Sequence, residues 1–116
     1  MFKIQNITTA AKQKQVLILP DGTSISFSIE YIPLQIGWFI REISYNDFVL
    51  NGVRISNSPN LLYQYRNQIP FGLACFSTIA EREPTLQEDF FSDASKLYIL
   101  TEAEVADYAR YLSGQV

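Results

Sequence analysis

The sequence has 116 residues with a formal net charge of −3, and 47% of them are hydrophobic, 14% aromatic and 18% charged. This balance is typical of one globular domain with a packed core and excludes a disordered chain. Histidine is absent, which excludes a histidine base and removes the commonest metal ligand. No apolar run approaches the length of a membrane span, and the scattered basic residues argue against a nucleic-acid groove.

The charge is divided unevenly along the chain. Residues 1–80 carry six lysines and arginines against four acidic residues, and residues 81–116 carry three against eight, so the two parts have net charges of +2 and −5. Opposite charges of this kind would suit pairing between subunits, although two solvated faces are the simpler explanation. The single cysteine, Cys75, excludes an intrachain disulfide. The first residues lack the apolar segment of a signal peptide, so we expect a soluble protein.

The first elements form a predicted arm and a predicted hairpin. Residues 1–12 show weak periodicity, and we expect an N-terminal arm that either grips a neighbour or frays. Residues 13–19 are an apolar strand candidate, followed by a tight-turn sequence with Pro20 and Gly22. Residues 24–31 alternate apolar and polar side chains, which predicts a half-buried strand that completes the hairpin. Its inward residues would be Ile25, Phe27, Ile29 and Tyr31, and its outward residues Ser24, Ser26, Ser28 and Glu30.

A third strand is predicted over residues 38–46, with mixed faces under strict alternation. One face would carry Trp38, Ile40, Glu42 and Ser44, and the other Phe39, Arg41, Ile43 and Tyr45. Next, Asn51 and Gly52 separate two apolar segments, residues 48–50 and 53–55, and this dipeptide is typical of a type I′ hairpin turn. Ser58 followed by Pro59 predicts a helix start, with a short helix or turn through residues 61–65.

The longest nearly uncharged apolar run covers residues 68–77. A continuous apolar run predicts a strand buried on both faces, because a half-exposed strand would alternate. We therefore expect a central strand here, bounded by Pro70 and Gly72. Cys75 lies within this run and is expected to act as a small buried apolar group.

A long acidic loop is predicted over residues 80–94. Its Phe90 and Phe91 either anchor it to its own domain or reach another subunit. The densest carboxylate pairs of the chain, Glu81 with Glu83 and Glu88 with Asp89, lie in this loop. A solvated loop would not separate the pKa values of two carboxyl groups as acid–base catalysis requires. The spacing of a calcium-binding loop is also missing, so we expect no active site.

The chain closes with a predicted strand over residues 96–100 and a predicted helix from residue 102 to about residue 112. Thr101 and Glu104 match a capping box. An apolar stripe would face the sheet and Gly114 would end the helix. The stripe consists of Val105, Tyr108, Ala109 and Leu112. Together the elements predict a mainly β fold, an antiparallel β-barrel or sandwich with a short C-terminal α-helix. We divide the chain into an N-terminal arm, residues 1–12, and a single β-rich domain, residues 13–116.

Several of these segments, taken in order, resemble one family. They are the strand over residues 15–19 with its turn, Trp38 with the apolar segment through residue 43, the Asn-Gly-Val-Arg of residues 51–54, the paired leucines 61–62, the Phe-Gly-Leu of residues 71–73 and the strand over residues 97–100. Their order and spacing resemble the baseplate plug proteins of contractile-tailed phages, of the cyanophage type. The similarity covers about residues 13–100.

This resemblance implies a structural virion protein of the tail baseplate, assembled in the cytoplasm of the bacterial host. Such a protein contacts tube and hub subunits, plugs the tube lumen until ejection and forms a trimer or hexamer, without catalytic residues or a cofactor and without direct binding to nucleic acid or membrane. A small β-barrel module that binds an apolar ligand is the alternative that the aromatic content suggests, and an enzyme using the loop carboxylates is a third hypothesis. The arm and the acidic loop are expected to make the partner contacts. The candidate residues are Lys3, Lys12, Lys14, Glu81, Glu83, Phe90 and Phe91.

Overall fold

The computed structural model describes residues 1–78 and 82–113. Within these residues the chain forms eight strands, two short 3₁₀ turns and one α-helix. The strands are β1 (Phe2–Lys3), β2 (Lys12–Ile18), β3 (Ser24–Ile32), β4 (Gly37–Tyr45), β5 (Phe48–Leu50), β6 (Val53–Arg54), β7 (Gly72–Ser77) and β8 (Ser95–Leu100). The 3₁₀ turns cover Pro33–Gln35 and Tyr63–Tyr65, and the helix α1 covers Glu102–Ser113.

The strands form two antiparallel sheets. The larger sheet has five strands in the order β2-β3-β4-β5, with β6 also paired to β4, and the smaller has the order β1-β8-β7. This mainly β arrangement confirms the predicted fold class. Of the two forms that the sequence left open, it is sandwich-like, because the strands divide into two sheets with a shared core between them.

The hairpin of β2 and β3 confirms the predicted turn. Gly22 has a φ of +90°, a backbone conformation that glycine adopts without steric cost. Its N–H donates to the carbonyl of Leu19 over 2.9 Å, and the N–H of Thr23 donates to the carboxylate of Asp21 over 2.9 Å. The local turn chemistry thus sets the register of the whole hairpin.

Alternation along β3 produces the predicted burial. Ile25, Phe27 and Ile29 are no more than 2% exposed, while the intervening side chains face outward. The inward residues pack against the smaller sheet, so the core lies between the two sheets. Core positions of the smaller sheet are Leu73, Cys75, Leu97 and Ile99.

A β-bulge in β4 corrects the predicted mixed faces of that strand. The register shifts so that consecutive residues 28 and 29 of β3 pair with Glu42 and Ile40, which leaves Arg41 as an extra residue. The bulge turns Ile43 to the same side as Trp38 and Ile40, and all three are at most 1% exposed. Strict alternation was wrong here because one inserted residue reverses the inside and outside positions beyond it.

The predicted hairpin at Asn51 and Gly52 is wrong. β5 and β6 do not pair with each other, since both pair with β4 at successive positions along it. The true turn lies at residues 46–47, between β4 and β5, where Asn46 has a φ of +50°. Gly52 also has a positive φ, of +74°, and its N–H donates to the carbonyl of Ile40 over 2.9 Å. The Asn-Gly pair therefore marks a kink alongside β4 rather than a chain reversal.

The apolar run of residues 68–77 contains β7, which is buried on both faces as predicted. Leu73 and Cys75 point into the main core, while Ala74 packs with Leu100 and Val105 in a second cluster under α1. The predicted central position is wrong, because β8 lies in the middle of the smaller sheet. The far edge of β7 is covered instead by the preceding segment, whose Ser58 exchanges backbone hydrogen bonds with Cys75.

That edge contact also corrects the predicted helix start at Ser58. Its backbone forms an isolated bridge to β7, and the short turn that follows, Tyr63–Tyr65, has no side-chain cap.

Helix α1, by contrast, begins as predicted. The N–H of Thr101 donates to Glu104 over 3.1 Å, and the N–H of Glu104 donates to the Thr101 hydroxyl over 3.4 Å.

The apolar stripe of α1 packs at one end only. Val105 is buried, but Leu112 is 49% exposed, so the predicted contact with the sheet fails near the end of the helix. Gly114, the predicted stop, lies outside the described residues. Among the helices that the structure describes, none has the length and apolar character needed to cross a membrane.

Candidate partner-contact surfaces

The residues predicted to contact partners lie on separate parts of the molecule. Lys3 belongs to β1, which pairs with β8, and its ammonium group lies 2.6 Å from the Asp93 carboxylate. This hydrogen bond lowers the pKa of Asp93 below its ordinary value. The next residue along the chain, Ile4, is buried in the core. The start of the predicted arm is thus part of the smaller sheet of its own chain.

Lys12 and Lys14 lie next to each other on the outer side of β2. Both are exposed, and with Arg41 they line a groove of about 620 Å³ on the larger sheet. β2 ends the strand order of that sheet, and lysines on such a strand discourage further strand pairing. The structure brings these two predicted residues together with a third basic group that the sequence pattern did not single out.

An ion pair between Arg82 and the buried Asp89 joins two parts of the acidic loop. Asp89 is 1% exposed, and its carboxylate lies 2.6 Å from the Arg82 guanidinium. The same carboxylate accepts the N–H of Leu86 over 2.9 Å. A carboxylate removed from water needs such partners, so Asp89 holds the chain of residues 82–89 in one conformation.

Side chains of the larger sheet also bind the loop backbone. The Tyr31 hydroxyl donates to the carbonyl of Thr85 over 2.7 Å, and the Trp38 indole N–H donates to the carbonyl of Leu86 over 3.1 Å. Glu83 accepts the N–H of Asn57 over 2.8 Å. Its neighbour among the predicted contact residues, Glu81, lies outside the described residues.

Phe90 and Phe91 separate into the two roles that the sequence left open. Phe90 is 5% exposed, and its ring lies edge-on to Trp38 with the centroids 5.8 Å apart. Phe91 is 64% exposed. The first therefore anchors the loop to its own domain, and the second is available to a partner.

The outer face of the larger sheet carries a row of small and apolar side chains. Cross-strand pairing connects Val16 to Ser26, Ser26 to Ser44, and Ser44 to Val49. Val16 is 57% exposed and Val49 is 56% exposed, and Ile18 beside them is 72% exposed. We call Val16, Ile18, Ser24, Ser26, Ser44 and Val49 the serine face. Short side chains flanked by apolar ones form a flat surface on which another protein can pack closely.

The other half of the same outer surface is charged. Arg41, exposed by the bulge, lies 3.5 Å from the Glu30 carboxylate. Arg54 of β6 pairs with Phe39 and lies over its ring, 5.3 Å from the centroid. The surface thus changes from apolar to charged along the strands, as the centre and rim of a protein interface do.

Two of the carboxylates considered for catalysis have structural contacts. Asp89 pairs with Arg82 and Glu83 accepts a backbone N–H, whereas Glu88 is exposed. Burial, with a smaller effect from the Glu83 charge, raises the pKa of Cys75 to about 12, which keeps its thiol protonated. Across residues 1–78 and 82–113, no group of three acidic or sulfur side chains is close enough to hold a metal ion.

Sequence reasoning missed the exposed apolar residues of β2 and those of the connection before β4. The apolar content of residues 13–19 predicts a strand but does not indicate which face is exposed, whereas pairing with the alternating β3 fixes it. In the connection, Leu34 and Ile36 are apolar yet lie between Pro33 and Gly37. Apolar residues inside a turn were the available signal, because turns are ordinarily polar.

Comparison with known proteins adds no relative. The sequence matches no protein-family model, and no curated protein matches it. What the chain does is therefore inferred from its own sequence pattern and surface.

Proposed function

We propose that this chain is a non-enzymatic structural protein of a phage tail baseplate. In this role it packs against tube and hub subunits and plugs the tube lumen until ejection, within a trimeric or hexameric ring. The order of segments between residues 13 and 100 supports the proposal through its similarity to plug proteins. The virion is the corresponding location, after assembly in the host cytoplasm.

The serine face is the observation that carries the proposal on the structural side. Val16, Ile18 and Val49 leave apolar side chains in water on a two-sheet domain whose core is already filled by other residues. Exposed apolar residues grouped on one face favour burial against another protein. A tube or hub subunit is the partner that the proposed role provides.

The filled space between the sheets favours a protein partner over an apolar small molecule. A ligand site for an apolar compound is ordinarily a concave pocket that encloses most of the ligand. The space between the sheets is occupied by large side chains such as Trp38, Phe27 and Phe71, all at most 2% exposed. A groove of about 690 Å³ between α1 and residues 66–70 is one place where the ligand-binding alternative would apply. Its lining includes Arg66, Asn67 and Glu102, which suits a polar ligand better.

The proposal is tested by locating the chain in purified tails. We expect a cryo-EM map to contain density for it at the tip of the tail tube. A map of complete tails without this density would overturn the proposed function.

A matched pair of variants then tests the serine face. Val16→Lys extends the existing Lys12 and Lys14 pattern on the same side of β2, so the protein should fold with an unchanged melting temperature but fail to enter tails. Leu112→Lys, at an apolar position of α1 that is 49% exposed, is the control and should enter tails normally. Equal incorporation of both variants would show that the serine face makes no contact.

A further inference from the structure

The connection between β3 and β4 ends in an exposed apolar tip, formed by residues 33–36. Leu34 is 97% exposed and Ile36 is 58% exposed. Single exposed leucines are common on protein surfaces. Leu34 differs from such residues because the backbone of its turn is strained and is held in place by hydrogen bonds from Arg54.

The strain lies at Ile36. Its φ of +50° and ψ of +60° put a β-branched residue in the left-handed region, a strained conformation that persists only where the surroundings impose it. The N–H of Ile36 donates to the carbonyl of Pro33 over 3.1 Å. The tip is therefore a closed turn in a sparsely populated conformation, and such outliers cluster at functional sites.

Arg54 imposes that conformation. Its guanidinium group donates to the carbonyl of Gln35 over 3.0 Å and to the carbonyl of Ile36 over 2.8 Å. Its planar face lies over the Phe39 ring. A Cβ atom at Gly37 would lie 2.7 Å from a guanidinium nitrogen, so the glycine leaves the room that the arginine occupies. The tip is pre-organised, and a rigid apolar anchor loses little conformational entropy when it binds.

A pocket at the other end of the molecule has matching properties. It encloses about 240 Å³, several times the ~30 Å³ that a water molecule takes up in the liquid, which is enough for a branched aliphatic side chain. Two of its lining residues are acidic, opposite in charge to the exposed Arg54 that binds the tip. Its apolar lining consists of Leu19, Pro20, Pro70 and Ala103, and its acidic residues are Asp21 and Glu102.

The tip cannot reach this pocket in its own chain. The pocket lies at the start of β3 and the tip at its end, and the nine residues of that strand span about 30 Å at the usual rise per residue. We propose that the tip of one copy inserts Leu34 into the pocket of a second copy of this chain. Such a contact joins two different surfaces, so it is heterologous and adds copies head to tail until a ring closes.

This inference deepens the proposed assembly role and rests on it only for the ring. Self-association can be measured with the purified protein, in the absence of any tail component. A protein that associates through the tip but is missing from tails would overturn the proposed function alone, and a protein found in tails as a separate copy without this contact would overturn the inference alone.

The test uses two variants that remove opposite halves of the contact. Leu34→Asp changes a fully exposed side chain, and Ala103→Arg places a long side chain at an exposed position of the first turn of α1, where it would fill the pocket. We expect the wild-type protein to form oligomers in sedimentation velocity and each variant to be monomeric with a melting temperature within a few degrees of wild type. Leu86→Asp, at another exposed apolar position, is the control and should keep the wild-type oligomer.

Mixing the two variants tests whether the tip of one copy binds the pocket of the other. The Leu34→Asp chain keeps an intact pocket and the Ala103→Arg chain keeps an intact tip, so the mixture should form a heterodimer of one chain of each kind and nothing larger. Wild-type protein that is monomeric at every concentration tested, variants that keep the wild-type mass, or a mixture that stays monomeric would each overturn the inference.

Discussion

At the scale of single residues, Gly72, the first residue of β7, has no side chain and so leaves room for the close approach of Asn60. A Cβ atom at this position would lie 2.7 Å from the Asn60 side-chain oxygen. That oxygen accepts the N–H groups of Leu62 and Leu73 over 3.0 and 3.1 Å. Asn60 is 4% exposed, so moving its side chain away would disturb these two buried hydrogen bonds.

Gly72→Val should therefore destabilise the fold by about 3 kcal/mol, the sum of overpacking and of disturbed buried hydrogen bonds. Urea denaturation measures the change. Ser24→Val, which adds the same side chain at an exposed strand position, should change stability by no more than about 0.5 kcal/mol. An unchanged midpoint for Gly72→Val would show that the Asn60 contact can relax without cost.

Cys75 gives a pH dependence with a definite sign. Its pKa is raised from 9.0 to about 12 in the folded protein, by burial first and by the Glu83 charge second. The unfolded thiol loses its proton at a lower pH than the folded one, so its contribution to stability is complete below pH 9 and declines between pH 9 and 12. At pH 10 the loss should be about 1.4 kcal/mol.

The measurement compares the pH dependence of unfolding for the wild type and Cys75→Ala between pH 8 and 10.5. Other groups titrate equally in both proteins, so the difference between the two curves isolates the thiol. Parallel curves would show that the Cys75 thiol ionises as readily in the folded protein as in the unfolded chain.

At the scale of elements, the features predicted correctly from the sequence are those that depend on local chemistry. The hairpin of β2 and β3 and the capping box of α1 depend on neighbours in sequence, such as Gly22 or the pair Thr101 and Glu104. The bulge at Arg41 and the pairing of both β5 and β6 with β4 depend on which strand lies alongside. That pairing is determined by the packing of the whole sheet, so the Asn-Gly pair predicts a turn where the structure has a kink.

Phe90 fixes the acidic loop to the core. Phe90→Ala should lower the stability of the isolated protein by about 3 kcal/mol, since it removes a buried ring that packs against Trp38. Phe91→Ala removes a ring that is 64% exposed and should leave stability nearly unchanged. Thermal unfolding of both variants makes the comparison within one loop. Similar losses in the two variants would contradict the division of roles between the neighbouring phenylalanines.

At the scale of the whole molecule, the contact surfaces were less predictable than the fold. Lys12 and Lys14 attracted attention by charge, yet the apolar residues beside them, Val16 and Ile18, acquire meaning only once β3 shows which face is exposed. The tip and the pocket are separated in sequence, with Leu34 near one end of β3 and Ala103 in α1. Sequence periodicity indicates which face of a single strand or helix is buried. To predict a surface formed by several elements, one must also know which strands pair.

The two sheets should unfold as one unit because they share a core. Trp38, the single tryptophan, is completely buried, contacts Tyr31 of β3 and Phe90 of the acidic loop, and belongs to the cluster that includes Leu73 and Leu97 of the smaller sheet. Its fluorescence therefore reports the packing between the sheets, while far-UV circular dichroism reports backbone structure throughout the chain. We expect the two signals to change at the same urea concentration.

A substitution in the cluster beneath α1 gives a second test of whether the fold unfolds as one unit. Val105→Ala removes buried methyl groups from the second cluster, beneath the helix, at a cost of about 1–3 kcal/mol. If the fold is one cooperative unit, the substitution should shift the midpoint of the distant Trp38 signal by the same amount as the midpoint of the far-UV signal. A far-UV change that precedes an unmoved tryptophan transition would mean that α1 unfolds independently of the two sheets. The pocket that Ala103 borders would then open before the sheets separate, and the proposed contact between copies would be lost at lower urea concentrations than the fold.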